Sequence, residues 1–241
     1  FIIKFIGDIH SRINEDYLRI LRYVRFSLLI SGDIEKKKLQ ICNQNYKKLK
    51  KLSYQRRIGE LRFILLNINL QKNSIVKKLR VLIEATLESK LNFNNFSFLC
   101  KLESTHNNES FERRLKFLLR SKKQLPKLIN LNAEKKLKRR LLKVVFFKDY
   151  SESEINYSLY KSEKNALIDK LMIDHSDNLL SESKFNFLLK KINDFKKKKF
   201  PLRGDDLISL GFSPGKKLGD VFEKVEIWWV KNNFVKSKRE C

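Results

Sequence analysis

The chain has 241 residues and a formal net charge of +26, from 53 Lys and Arg against 27 Asp and Glu. That length makes one large domain or two small ones, and a hydrophobic content of 42% is enough for an ordinary core. Such a positive excess goes beyond what solubility asks and points to a polyanionic partner, nucleic acid first. Lys, Asn, Ile and Phe are all abundant, as an AT-rich genome makes them, so charge alone carries less weight. No apolar run reaches bilayer-spanning length, and no membrane partner is expected. Cys42, Cys100 and Cys241 lie far apart, without CxxC spacing or an even-numbered framework. They read as thiols of a reducing, cytoplasmic compartment without structural zinc.

The first residues, "FIIKFIGD", are apolar but too short for a signal segment, and the single Met is Met172. The chain therefore reads as the downstream piece of something longer, or as one whose start is misassigned. Apolar residues then recur at spacings of three and four in "LRILRYVRFSLLI", "RRIGELRFILLNINL", "FERRLKFLLRSKK" and "EKKLKRRLLKVVFF". No Asn-Gly or Asp-Gly hairpin signal separates alternating segments. The expectation is an all-α chain of about ten to twelve helices joined by short polar loops. Loops are expected at 31–33, 92–97, 103–110 and 148–154, with rough boundaries near residues 70 and 150. Gly and Pro return at 201–219, where Asp205 and Ser213 are candidate helix caps.

Within "GDIHSRINEDYLRILRYVRF", helical spacing places Arg12, Asp16, Arg19 and Arg22 on one polar stripe. Tyr17, Leu21, Val24 and Leu28 form an apolar stripe beside it. The plain account is a solvated face with intrahelical ion pairs, each worth roughly 0.3–0.5 kcal/mol.

A second account comes from resemblance. "FIGDIHSRINEDYLRILRYVRF" resembles the head-to-neck junction of class II tRNA nucleotidyltransferases (CCA-adding enzymes) and bacterial poly(A) polymerases. Phe5, Ile6, Gly7, Asp8, Arg12, Ile13, Glu15, Asp16, Leu18, Arg19, Leu21, Arg22, Arg25 and Phe26 match that family's pattern, and Ile9 replaces its proline. "LSYQRRIGELRFIL" is similar to the family's next motif through Ser53, Arg56, Glu60 and Leu61, with Gln55 and Arg57 departing from it. "FPLRGDDLISLGFSPGKKLG" is similar to a third through Phe200, Pro201, Gly204, Asp206, Leu207, Gly211, Pro214, Gly215 and Gly219. The three stretches keep the family's order along the whole chain.

The resemblance implies an elongated all-α array: a neck at 1–70, a body at 71–150 and an RNA-binding tail at 151–241. It implies that Asp16 and Arg19 read the base of the incoming nucleotide. A carboxylate accepts hydrogen bonds and a guanidinium donates them. Cytosine and adenine each offer an amine donor beside a ring acceptor, whereas uracil and guanine present the opposite sense. A mismatched edge leaves charged groups unpaired, so such a site discriminates by up to about 10⁴–10⁵. Arg12, Glu15, Arg22 and Arg25 would support the reading pair, with Arg22 alternatively near the triphosphate. Gly7 and Asp8 would form the linker to the head.

The resemblance also says what to expect elsewhere. The family's metal-binding carboxylates lie on a β-sheet head upstream of this motif, so no catalytic residue, metal site or cofactor is assigned to this chain. ATP and CTP are the implied substrates, and Mg²⁺ belongs to the head, expected from a separate polypeptide or another half of a split gene. Asp205 and Asp206 are adjacent, so their side chains diverge, and Asp206 reads as a structural cap. "DHSD" at 174–177 reads as a loop, and His10 and His106 as surface or linker residues. RNA, most simply tRNA, is the expected partner. Lys196, Lys197, Lys198, Lys199 and Arg203 surround aromatic residues, and Lys216 and Lys217 open a helix where backbone N–H groups meet a phosphate. A lysine-rich surface without a fixed role accounts for each of these equally well. The basic amphipathic stretches also fit a membrane-surface helix, a weaker reading given the glycine-punctuated tail. Trp228 and Trp229 read as packing the last helix. Poly(A) polymerase and a non-catalytic RNA-binding remnant stay open as alternatives.

Overall fold

The computed structural model describes residues 3–120, 135–142 and 150–241. Among them there is no strand. The chain is all-α, as its apolar spacing predicts, with thirteen α-helices and two 3₁₀ helices among the described residues. Parts of the two basic amphipathic stretches, and residues 148–149 of the last expected loop, lie outside the described residues.

In chain order, α1 is Ile9–Glu15, α2 Leu18–Ile30 and α3 Lys36–Gln44, followed by a 3₁₀ helix at Tyr46–Lys51. Next come α4 (Tyr54–Leu65), a second 3₁₀ helix (Ile68–Gln71), α5 (Asn73–Leu87), α6 (Phe96–Thr105), α7 (Phe111–Leu118) and α8 (Lys135–Leu142). The remaining helices are α9 (Glu152–Lys161), α10 (Lys164–Ser176), α11 (Glu182–Asp194), α12 (Gly204–Ser209) and α13 (Lys216–Lys231).

Helix starts follow from side-chain caps. Asp8, Ser53, Ser110, Ser151 and Ser181 each accept a hydrogen bond from the backbone N–H three residues on, at the heads of α1, α4, α7, α9 and α11. That bond satisfies one of the orphan donors of the first turn. Asp205 and Ser213 do not cap: α12 follows Arg203 and α13 follows Gly215. Asp206 does act at a helix start, its carboxylate accepting the Arg203 N–H at 2.8 Å. "DHSD" is not wholly a loop either, because α10 continues through Ser176 with Asp174 buried.

The chain divides into two compact units, residues 1–143 with 172–180, and residues 144–171 with 181–241. In the first, α2 packs along α4, and α5 and α6 pack on the second 3₁₀ helix. Leu21, Val24, Leu28, Leu61, Ile64 and Leu65 are almost fully buried, and each such side chain contributes about 1.5–3 kcal/mol of apolar burial. A charged cluster lies in the same interior. Glu103 of α6, fully buried, accepts from Arg113 at 2.9 Å and from Arg114 at 2.5 Å. Arg113 also donates to the Asn108 carbonyl at 2.7 Å, and Arg114 to the Leu65 carbonyl, so the pair joins α6 and α7 to the end of α4. Burial pushes the Glu103 carboxyl above its ordinary range although both guanidiniums act the other way.

In the second unit α9 packs on α13, and so does α12. Its centre is aromatic: Tyr160, Trp229 and Val230 are buried, with Tyr157, Phe200 and Phe234 packed against them.

Candidate functional site

The expected polar stripe along one continuous helix is not what forms. Helix α1 ends at Glu15, and Asp16 is extended, with φ −149° and ψ 108°. Its carboxylate accepts the Leu18 N–H at 3.0 Å, and its carbonyl accepts the Arg19 N–H at 3.0 Å. Aspartate favours this local bond over helix continuation, so Asp16 introduces α2 instead of lying midway along a longer helix. The apolar side of the reading stands: Leu21, Val24 and Leu28 are buried, while Tyr17 is half-buried.

The break sorts the charged residues into three groups. Glu15 accepts from Arg12 at 2.6 Å and from Arg19 at 2.5 Å, and Arg19 also donates to the Arg12 carbonyl at 2.7 Å. The Arg19 hydrogen bond, followed by the charge of Arg12, holds the Glu15 carboxyl below its ordinary value. Asp16 accepts from Arg56 of α4 at 3.0 and 3.3 Å. Arg22 and Arg25 of α2 both reach Glu60 of α4, at 3.2 and 3.0 Å.

Asp16 and Arg19 thus hold different partners, and both side chains remain about one-quarter exposed, at 27% and 28%. Arg19 uses Nη1 for its bonds, and its Nε and Nη2 have no partner among the described residues. Chemically, this is a partly accessible row in which a carboxylate acceptor stands near free guanidinium donors, each steadied by a second charged group. Sequence reasoning placed Arg56 and Glu60 in a matched stretch but gave them no partner. They lie 40 and 38 residues from Asp16 and Arg22, and charge complementarity was the only available signal. Arg57 is buried, donating to the Thr86 carbonyl at 3.0 Å and pairing with Glu88 at 2.7 Å.

Upstream, Gly7 takes φ +84°, a left-handed turn that suits glycine. Asp8 then caps α1 at 2.8 Å, and that Ser11 N–H holds its carboxyl low.

In the second unit, Lys196 to Lys199 are exposed in the segment after α11. Lys197 lies 4.9 Å from the centre of the Tyr160 ring and Lys198 5.7 Å from that of Phe234. The Arg203 side chain is exposed at the head of α12, and Lys216 and Lys217 are exposed in the first turn of α13. Trp229 packs as expected, but Trp228 is 41% exposed and only partly serves the core.

The buried thiols of Cys42 and Cys100 are pushed up to about 12 by desolvation, which makes them poor nucleophiles. Among the described residues no cluster of His, Cys, Asp and Glu fits a metal ion. No helix described is long and apolar enough to cross a membrane.

The described residues thus bring together helices that carry paired carboxylates and guanidiniums, with lysines exposed in the second unit. No protein-family model matches the chain. Over 251 aligned positions it is 28% identical to CCA tRNA nucleotidyltransferase 1, mitochondrial, of Mus musculus, 27% to that of Homo sapiens and 24% to that of Danio rerio. Each match covers 99% of this chain and 57% of the relative, so the chain spans little more than half the length of the curated relatives it matches. Along nearly its whole length the chain is thus distantly similar to CCA tRNA nucleotidyltransferases.

Proposed function

We propose that this chain selects the nucleotide and holds the tRNA during addition of CCA to the tRNA 3′ end, as the neck, body and tail of a class II enzyme. The observation that supports this most directly is the likeness to CCA tRNA nucleotidyltransferases along 99% of the chain. The charged row on α1, α2 and α4 supplies groups suited to the task. Asp16 accepts the exocyclic amine of cytosine or adenine, and Arg19 donates to the neighbouring ring acceptor. Arg56 orients Asp16, and Glu15 orients Arg19. Glu60 holds Arg22 and Arg25 on the same side of α2. Transfer of the nucleotidyl group belongs to a catalytic head with its own Mg²⁺, and Gly7 and Asp8 form the approach to it. Exposed lysines at 196–199, Arg203, Lys216 and Lys217 grip the RNA backbone without reading sequence.

The test combines the full chain with the catalytic head of a CCA-adding enzyme, in trans or fused, on tRNA lacking its 3′ end, with labelled CTP and ATP. Incorporation of both nucleotides is expected, and Asp16→Ala erases base preference while tRNA binding stays. Tails of ATP alone would replace this reading with polyadenylation. Salt-sensitive tRNA binding without any incorporation would replace it with a non-catalytic RNA-binding role. Equal loss of selection and binding in Asp16→Ala would make the α1–α2 break purely structural.

A further inference from the structure

Within the first unit, α5 and the segment leading into α6 enclose a cleft of about 380 Å³. That is at the small end of the roughly 300–1,000 Å³ range of small-molecule sites. Its lining has two cations, Lys77 and Arg80, and no carboxylate. Lys77 is exposed and has no ion-pair partner among the described residues. Arg80 is 57% exposed; its Nε makes a long ion pair with Glu84 at 3.7 Å, beyond hydrogen-bond reach, and its guanidinium lies 5.8 Å from the Phe93 ring centre. Glu84 is itself engaged, accepting the Leu91 N–H at 3.0 Å.

The other wall is aromatic and polar. Phe98 is 43% exposed, and the only ring placed beside it among the described residues is that of His175, at 5.7 Å and 60°. That tilted neighbour does not stack on the Phe98 ring. Asn94 and Asn95 line the same cleft with exposed side chains.

This wall is held in place before any ligand arrives. Arg120 donates to the carbonyls of Asn92 and Asn94, each at 3.0 Å, and its Nε meets Asp177 at 3.0 Å. The Asn92 N–H donates to the Leu118 carbonyl at 3.1 Å. A preformed wall lowers the ordering cost of binding.

We propose that this cleft binds a nucleoside phosphate, with the phosphate between Lys77 and Arg80, the base stacked on Phe98, and the asparagine amides on the base edge or sugar. Two cations on adjacent turns of α5, in a lining with no carboxylate and with only a long ion pair from Arg80 to Glu84, suit a phosphate, and an exposed phenyl ring suits any base. The nucleoside phosphate comes either from a free mononucleotide or from one residue of an RNA chain. The second source rests on the RNA-holding role proposed above.

The experiment measures anisotropy of labelled tRNA lacking its 3′ end, and of a short single-stranded oligonucleotide, with the full chain at several salt concentrations. Lys77→Ala with Arg80→Ala weakens oligonucleotide binding about tenfold and lowers its log–log salt slope by about 0.7, the loss of one neutralised phosphate on a single strand. Phe98→Ala weakens binding about tenfold with the slope unchanged, because stacking releases no counterions. Phe98→Trp restores binding. The charge control is Lys36→Ala with Lys37→Ala, two exposed lysines of α3 outside the cleft lining, and it leaves affinity within twofold.

AMP or CMP that displaces the oligonucleotide from the wild-type chain, but not from the cleft variants, assigns the site to free nucleotides. Displacement by unlabelled oligonucleotide alone assigns it to RNA. Unchanged affinity in the cleft variants, or an equal loss in the α3 control, overturns the proposal. A wild-type chain that binds nucleotides at the cleft but no tRNA refutes the tRNA role and leaves the cleft standing.

Discussion

Glu103, Arg113 and Arg114 sit almost wholly out of solvent in the first unit, three charges within one interior. At the centre of the second unit stand Trp229 and Tyr160, with ring centres 6.0 Å apart and Phe200 and Phe234 against the indole. The first arrangement is directional. Each guanidinium must meet its carboxylate and a named carbonyl, and an error leaves a charge unpaired in low dielectric. The second is tolerant, because rings gain from area in many orientations, and its polar atoms sit at the edge. There Tyr160 donates to Glu226 at 2.8 Å, and the Trp229 indole N–H donates to the Lys236 carbonyl at 3.0 Å. An ionic network specifies how α4, α6 and α7 meet, whereas an aromatic cluster supplies cohesion with less demand on register.

Breaking the ionic side gives the largest expected effect. Glu103→Ala strands two buried guanidiniums and costs about 3–5 kcal/mol, read from the midpoint of urea unfolding. Replacing Glu103, Arg113 and Arg114 together by apolar residues of similar volume recovers most of that loss. If the triple replacement is as unstable as the single one, directionality is not what the network provides. On the aromatic side, Trp229→Ala costs about 3 kcal/mol or slightly more, and Trp229→Phe less than half of that, checked by hydrogen exchange in α9 and α13. Ser110→Ala, which removes the cap of α7, costs about 1 kcal/mol in the same unfolding assay.

The smallest effect sharpens the comparison at the exposed end of the first unit. Arg19 holds the Glu15 carboxyl below its ordinary 4.5. The link is therefore present above that pH and is lost only as pH falls through the lowered value. A carboxyl titration followed by NMR finds the Glu15 midpoint below its ordinary value in the wild-type chain and raised in Arg19→Ala, only partly so because Arg12 still pairs with it.

Much of the helical layout was legible. Helices α2, α4 and α7 lie where apolar residues recur at three and four, because a helix must bury one face and the spacing records which. The break at Asp16 was not legible, since the same spacing continues across it. What decides there is a local bond from a side chain to the backbone two residues on, a competition that periodicity does not register. The charged row was legible only in part. Its members on α1 and α2 are sequence neighbours, but the groups that hold them, Arg56 and Glu60, come from α4.

By itself, the order of residues determined helical class, strong positive charge, the absence of a cysteine framework, and a run of acid and arginine beside leucines. These are properties of single segments, set by spacing and side-chain chemistry within a few residues. Only the folded chain decided that Asp16 meets Arg56, that Glu60 takes two arginines, that Glu103 is buried between two more, and that Lys77, Arg80 and Phe98 share one cleft. Those pairings depend on which helix faces pack together, and packing is settled by the summed burial of many side chains far apart along the chain.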